Sequence, residues 1–159
     1  MKIVYLADPI ADCSYGEATA WRNVVSYDLK QVGVRTVSPM RAKEFLKGEG
    51  RITGAYPEHL SSGVHGIGAR DEYDVTHCDM VLAYLPREMN ERRPSVGTMM
   101  ELGVAHHARV PLVLVTDDEH LVQHPLVQAW TGWIVPDFES ALEVIQFVLG
   151  PYLKKEYAT

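Results

Sequence analysis

Three successive stretches decide the fold: Asp79-Met80-Val81-Leu82-Ala83-Tyr84, Ser95-Val96-Gly97-Thr98-Met99-Met100-Glu101-Leu102-Gly103-Val104-Ala105, and Val110-Pro111-Leu112-Val113-Leu114-Val115. The first and last contain short continuous apolar runs, the pattern of strands buried on both faces of a parallel sheet. The middle stretch is a small-residue turn that runs into a helix, predicted over 97–108. Strand, helix, strand is the unit from which parallel α/β sheets are built. A single acid, Glu101, sits in that helix among apolar neighbours. On this stretch alone it reads equally as a solvated helix acid or as a reactive carboxylate.

Toward the N-terminus the same alternation continues. Residues 3–7 form another buried-type run that stops at Asp8-Pro9, and residues 16–32 carry Ala18, Trp21, Val25 and Leu29 at helical spacing before Gly33. A second short strand is predicted over 34–37 and a short helix over 41–47, closed by Gly48. Gly48, Gly50, Gly54, Gly63 and Gly66 then crowd the segment before Gly68, together with Pro57 and two serines. Residues 48–68 are therefore expected to form a mobile loop or lid, with a variable surface insertion as the competing reading. A short helix over 70–77 carries Asp71, Asp74 and Val75.

Beyond the deciding stretches, residues 120–130 are ambiguous and Trp133-Ile134-Val135 reads as a fifth strand. Asp137 caps a closing helix with the stripe Ala141, Leu142, Ile145, Val148 and Leu149. The whole pattern predicts one α/β domain with about five mostly parallel strands, doubly wound, and a ligand crevice at the strand C-terminal ends.

Composition narrows the partners. A chain of 159 residues can bury a real core without disulfides or metal. Its net charge of −6 argues against a general basic surface for a nucleic acid polymer or a membrane face. A small anionic ligand needs only a local site. Cys13 and Cys78 lie in no metal or redox spacing and read as free thiols of a reducing compartment. The first residues resemble no signal peptide and no run is long enough to span a bilayer, so the expectation is a cytoplasmic protein whose fold starts at its first residues.

Several chemistries drop out. No glycine-rich dinucleotide fingerprint follows the first strand and no G-x-x-x-x-G-K-[ST] loop occurs, so no cofactor is expected. His106 and His107 point about 100° apart on a helix and do not chelate together, so no metal is expected. Cys78 has no visible helper base and reads as a small packed hydrophobe.

The carboxylates carry more. Asp71 and Glu101 both fall near strand ends on the crevice side, and acids with separated roles are what cleavage of a glycosidic bond needs. Asp71 reads equally as a solvated helix acid, and Asp79 as the cap of a turn or an organiser of the site. Ser95-Val96-Gly97-Thr98 opens a helix, where free N–H groups and the helix dipole favour an anion. Ser95 also reads as a simple N-cap, and the two roles are compatible. Six residues of helix span about 9 Å at ~1.5 Å per residue, roughly the reach from a sugar 5′-phosphate to its anomeric carbon.

Taken together, Asp71, Asp79 before an apolar strand, and Ser95-x-Gly97-Thr98-x-x-Glu101-Leu102-Gly103-x-Ala105 resemble the nucleoside 2-deoxyribosyltransferase family, which includes nucleoside 5′-monophosphate N-glycosidases. Tyr5-Leu6-Ala7-Asp8-Pro9 resembles the family's first strand and its Y-L-A-G-P turn. The resemblance implies a flavodoxin-like, Rossmann-like three-layer α/β sandwich. It also implies scission of the bond between base and sugar, with Glu101 matching the glutamate nucleophile and Asp71 the aspartate that assists the leaving base. Tyr5 matches a pocket tyrosine. Ser95 stands where free-nucleoside transferases tend to have aspartate, which tilts the substrate toward a 5′-monophosphate. Asp8 replaces the usual glycine and is expected to read the base; Asp79, Gly97 and Thr98 complete the expected substrate contacts. A homodimer or larger homo-oligomer is implied, with a neighbour completing the pocket. The alternatives are a nucleotide-sensing module, with Ser95, Arg87, Arg92 and Arg93 holding phosphate, and a structural subunit.

Overall fold

The computed structural model describes residues 1–92 and 95–150. Five strands, β1 (Lys2–Ala7), β2 (Val34–Val37), β3 (Met80–Tyr84), β4 (Leu112–Val115) and β5 (Trp133–Val135), form one sheet in the order β2-β1-β3-β4-β5. All four pairings are parallel. This is the flavodoxin-like order, with its switch point between β1 and β3.

Alternation along the strands builds two cores. Val4, Leu6, Met80, Leu82, Val113 and Val115 pack against α1 (Tyr15–Gln31) and α7 (Phe138–Leu149). Tyr5, Ala7, Val81, Ala83, Leu112 and Leu114 face α2 (Val64–His77), α4 (Val96–His107) and the short α6 (Pro125–Trp130). The result is a three-layer sandwich, as the sequence pattern and the resemblance lead one to expect. The remaining helices, α3 (Arg87–Arg92) and α5 (Glu119–Gln123), are single short turns, so the ambiguous 120–130 region is two helices broken before Pro125. No helix of the described residues is long and apolar enough to cross a membrane.

Helix α1 begins with a capping box between Ser14 and Glu17, and Gly33 follows its end at φ +76°, a conformation that glycine adopts without strain. The 41–47 region is a 3-10 turn at Glu44–Gly48 rather than an α-helix.

The glycine-rich segment departs from its expected form. Residues 64–68 belong to α2, which begins at Val64 and not at residue 70. Gly66 reads as a breaker in sequence, yet a Cβ there would meet Leu60 O at 2.7 Å, so this glycine lets the helix lie against the preceding loop. That loop is also stitched to the turn after β1, through Asp12 N to Ile52 O and Ile52 N to Cys13 O, both 2.8 Å. Ile52, Leu46, Met40, Cys13 and Ala18 form a third small core beneath it.

Candidate active site

A cavity of about 250 Å³ opens at the C-terminal ends of β1 and β3, where the topology reverses. It is lined by the turn after β1 (residues 8–11), by Asp71 of α2, and by Ser95, Val96, Gly97, Thr98 and Glu101 at the start of α4. The topology and the helix starts together bring these distant segments to one place.

Ser95 caps α4: its hydroxyl accepts from Thr98 N at 3.3 Å and shares a 2.7 Å hydrogen bond with Thr98 Oγ1. Its carbonyl accepts from Met99 N. The cap leaves the amides of Val96 and Gly97 without helical partners, as at any helix start, and both residues line the cavity. The start of α4 thus offers an anion N–H groups, hydroxyls and the positive end of the helix dipole.

Glu101 lies in the second turn of α4 and is only partly exposed. The Tyr5 hydroxyl, from the fully buried centre of β1, donates to its Oε1 at 2.6 Å. Burial pushes the Glu101 carboxyl up to about 8; the Tyr5 hydrogen bond pulls it down, and the negative charge of Asp71 raises it further. Tyr5 is itself raised by burial and by the two acids, so it stays a donor. Asp71 is raised by burial, against the pull of Arg70, whose guanidinium lies 3.4 Å from Asp71 Oδ1, and of Lys43. Two acids with elevated proton affinity and one neutral donor therefore share the site.

Asp8 sits at the cavity floor but is already engaged. One oxygen pairs with Arg22 Nη2 and the other accepts from Trp21 Nε1. Burial lifts Asp8 to about 6 in spite of these partners. Asp79 is not in the cavity: it precedes β3 at the opposite end of the sheet, where it accepts from Lys2 Nζ at 2.7 Å and Ile3 N at 2.8 Å. Its expected substrate contact is corrected to a tie between strand starts, because a residue preceding a parallel strand lies at the end away from the crevice. Arg93 lies outside the described residues, as does the side chain of Arg92, and Arg87 begins α3 with its amide donating to Asp117.

Three cations escaped the sequence reading. Arg22 continues the Ala18, Val25, Leu29 stripe, so its position on an apolar face was the available signal of a buried partner. Arg70 and Lys43 carried no such signal.

The family described as nucleoside 2-deoxyribosyltransferase matches residues 4–145 of the sequence. The chain belongs to this family. It is accordingly an enzyme of the nucleoside 2-deoxyribosyltransferase and N-glycosidase type. No curated protein matches the sequence closely enough to count as a relative. Among solved structures, the fold is similar to a 2-deoxyribosyltransferase from Bacillus psychrosaccharolyticus, with TM-score 0.60, 16% identity, and 87% of this chain and 89% of that one covered. It is similar to a CMP N-glycosidase from Clostridium botulinum, with TM-score 0.51, 14% identity, and coverage of 92% and 99%. A molybdenum cofactor binding protein from Rippkaea orientalis shares the fold too, with TM-score 0.60, 17% identity, and coverage of 92% and 96%. At such identities these likenesses establish the fold of the family member and no more.

Proposed function

We propose that the protein cleaves the N-glycosidic bond of a (2′-deoxy)nucleoside or its 5′-monophosphate, with Glu101 as nucleophile. The observation that carries this reading is the meeting of Glu101, Asp71 and the capped start of α4 in one cavity. Ionised Glu101 attacks the anomeric carbon as the bond to the base breaks, giving a glycosyl-enzyme ester. Asp71, with its raised proton affinity, hands a proton to the departing base. A second base or a water then resolves the ester, and the acceptor decides between transfer and hydrolysis.

Ser95, Gly97 and Thr98 favour a monophosphate, because the start of α4 suits a phosphate and about 9 Å of helix separates Ser95 from Glu101. Tyr5 holds the nucleophile in orientation, and Asp8 shapes the floor of the pocket while tied to Arg22. Val96 and Met100 on α4 and Leu126 and Trp130 on α6 are exposed apolar side chains that a second copy could cover, which supports assembly as a homodimer or larger.

The competing reading, a module that binds a nucleotide without turning it over, has no use for the paired acids Glu101 and Asp71 in the cavity. One experiment separates the two. The protein is incubated with deoxynucleosides and their monophosphates, with and without a free acceptor base, and products are followed by chromatography. Base release or exchange that disappears in Glu101→Ala supports the enzyme; saturable binding without any release over long incubation supports the module. Full activity in Glu101→Ala would sink the proposed mechanism.

A further inference from the structure

A second cavity, of about 320 Å³, adjoins the first and shares Ile10, Ala11 and Asp71 with it. Its other walls are largely apolar, including Leu46, Ile52 and Ile67, with two exceptions, Lys43 and Ser62. Lys43 is only 5% exposed, an uncommon state for a lysine without a close partner. Among the described residues its ammonium takes part in no side-chain hydrogen bond or ion pair. Ser62 is 1% exposed and its Oγ has no hydrogen-bond partner, so a buried hydroxyl beside the same cavity is unsatisfied.

The backbone around Lys43 is built with unusual care. Ala42 sits at φ 58°, a left-handed conformation that alanine adopts at a cost and that persists only where the surroundings hold it. Here Ser61 Oγ donates to Ala42 O at 2.9 Å, Arg70 donates to Pro39 O at 2.7 Å and Arg41 O at 3.3 Å, and Arg41 pairs with Asp74. Arg70 is also the partner of Asp71, so the turn carrying Lys43 and the acid at the mouth of the cavity are held by one side chain.

We propose that this second cavity is the base subsite, and that Lys43 donates a hydrogen bond to a ring carbonyl oxygen of the leaving base, with the Ser62 hydroxyl as a further contact. The substrate base is then an oxo base, one with a carbonyl conjugated to its glycosylic nitrogen. The inference rests on the N-glycosidase reading and deepens it. A sugar with its anomeric carbon at Glu101 directs its base past Asp71, the one acid that lines both cavities. Apolar walls accept the faces of a planar ring, and a few placed polar groups fix its edge. Lysine offers only donors, so the base must supply the acceptor. A third cavity, on the Val75 and Val104 side of Asp71 and Glu101, offers carboxylates and apolar groups but no cationic donor.

The chemistry gives Lys43 a role in the reaction. As the bond from C1′ to the base nitrogen breaks and the bond from C1′ to a Glu101 oxygen forms, the bonding electron pair stays with the base. Its charge spreads onto the conjugated carbonyl oxygen, while the proton for the ring nitrogen comes from Asp71. An ammonium aimed at that oxygen binds the transition state more tightly than the ground state. Burial and nearby Arg70 lower Lys43 to about 8, with Asp71 pulling the other way, so it remains largely protonated at neutral pH.

The test measures base release from the 5′-monophosphates of cytidine, uridine and inosine and of their 2′-deoxy counterparts, which carry ring carbonyls, and from those of adenosine and 2′-deoxyadenosine, which carry none, with the free nucleosides run alongside. The wild type should favour the carbonyl bases. Lys43→Met should lower kcat on them by about 10²- to 10³-fold, the usual loss for one oxyanion donor, with little change for adenine. Lys43→Gln, which keeps a neutral donor, should fall between, and Ser62→Ala should act chiefly on KM. Equal losses on all bases, unchanged selectivity in both Lys43 variants, or a wild-type preference for adenine would each overturn the inference while leaving the glycosidase reading intact. No release of any base by the wild type would overturn that reading and this inference with it.

Discussion

The Tyr5 hydroxyl donates to Glu101 Oε1 at 2.6 Å, so β1 grips the candidate nucleophile while α4 carries it. Both partners are shaped by burial, which holds Glu101 at about 8 and raises Tyr5. A nucleophile must be ionised, so kcat/KM for base release should rise with pH through a limb near 8. Tyr5→Phe removes a donor to the carboxylate and should move that limb upward. It should also cost about 10- to 100-fold at pH 7, from ~1.5–3 kcal/mol for a hydrogen bond to a charged group. Asp71→Asn removes a like charge and should move the limb downward, although it lowers the maximum rate. Limbs that shift together, or stay fixed, would contradict the assignment of Glu101 as the titrating group.

The same elevation makes a stability prediction. Glu101 keeps its proton in the folded state to about 8, whereas in the unfolded chain it ionises near the ordinary carboxylate value. Between those values the folded state binds more protons, so Glu101 makes no protonation demand in acid and costs stability progressively as pH rises from about 4.5 to 8. Glu101→Gln removes the demand. Urea unfolding should therefore show the variant gaining on the wild type as pH increases through that window, while base release falls by at least about 10³-fold. A stability difference independent of pH would place the carboxyl in water instead.

The sequence made the sheet legible because its strands are continuous apolar runs and its helices carry striped faces, as with Ala18, Val25 and Leu29. Glu101, Asp71 and Ser95 were legible because helix starts and strand ends are where an open α/β sheet keeps its ligand. What escaped depended on contacts between distant segments. Gly66 looked like a loop glycine because its reason, the carbonyl of Leu60, lies outside the helix pattern. Asp79 looked like a site acid because it accompanied the family motif, although its place directly before β3 already put it at the end of the sheet away from the crevice. Lys43 lies on an irregular turn, where no periodicity marks an inward-facing side chain.

Ser95 serves two functions that substitution separates. Aspartate is as good an N-cap as serine, whereas alanine loses the cap at about 1 kcal/mol. Ser95→Asp should thus keep the melting temperature close to that of the wild type but place a negative charge where the phosphate is proposed to sit. Its kcat/KM should fall steeply for a 5′-monophosphate and change little for the free nucleoside. Ser95→Ala should lose stability and only part of the phosphate preference. If Ser95→Asp treats both substrates alike, the start of α4 does not hold the phosphate.

Asp8 and Arg22 form an ion pair with both side chains almost wholly withdrawn from water. Arg22 rises from α1 on the face that packs against the sheet and also donates to the carbonyl of Ala18, so its charge is distributed between a carboxylate and a backbone acceptor. Removing one partner strands the other: Arg22→Met should destabilise the protein by about 3–5 kcal/mol, the usual result of leaving a buried charge uncompensated. Asp8 already lies raised at about 6 with Arg22 present, so in Arg22→Met it should take up a proton at still higher pH. The double variant Asp8→Asn with Arg22→Met removes both charges and should recover much of the loss. Urea denaturation of the two single variants and the double variant measures the coupling directly. Additive losses would show that Asp8 and Arg22 act independently, and Asp8 would then be free to contact the base.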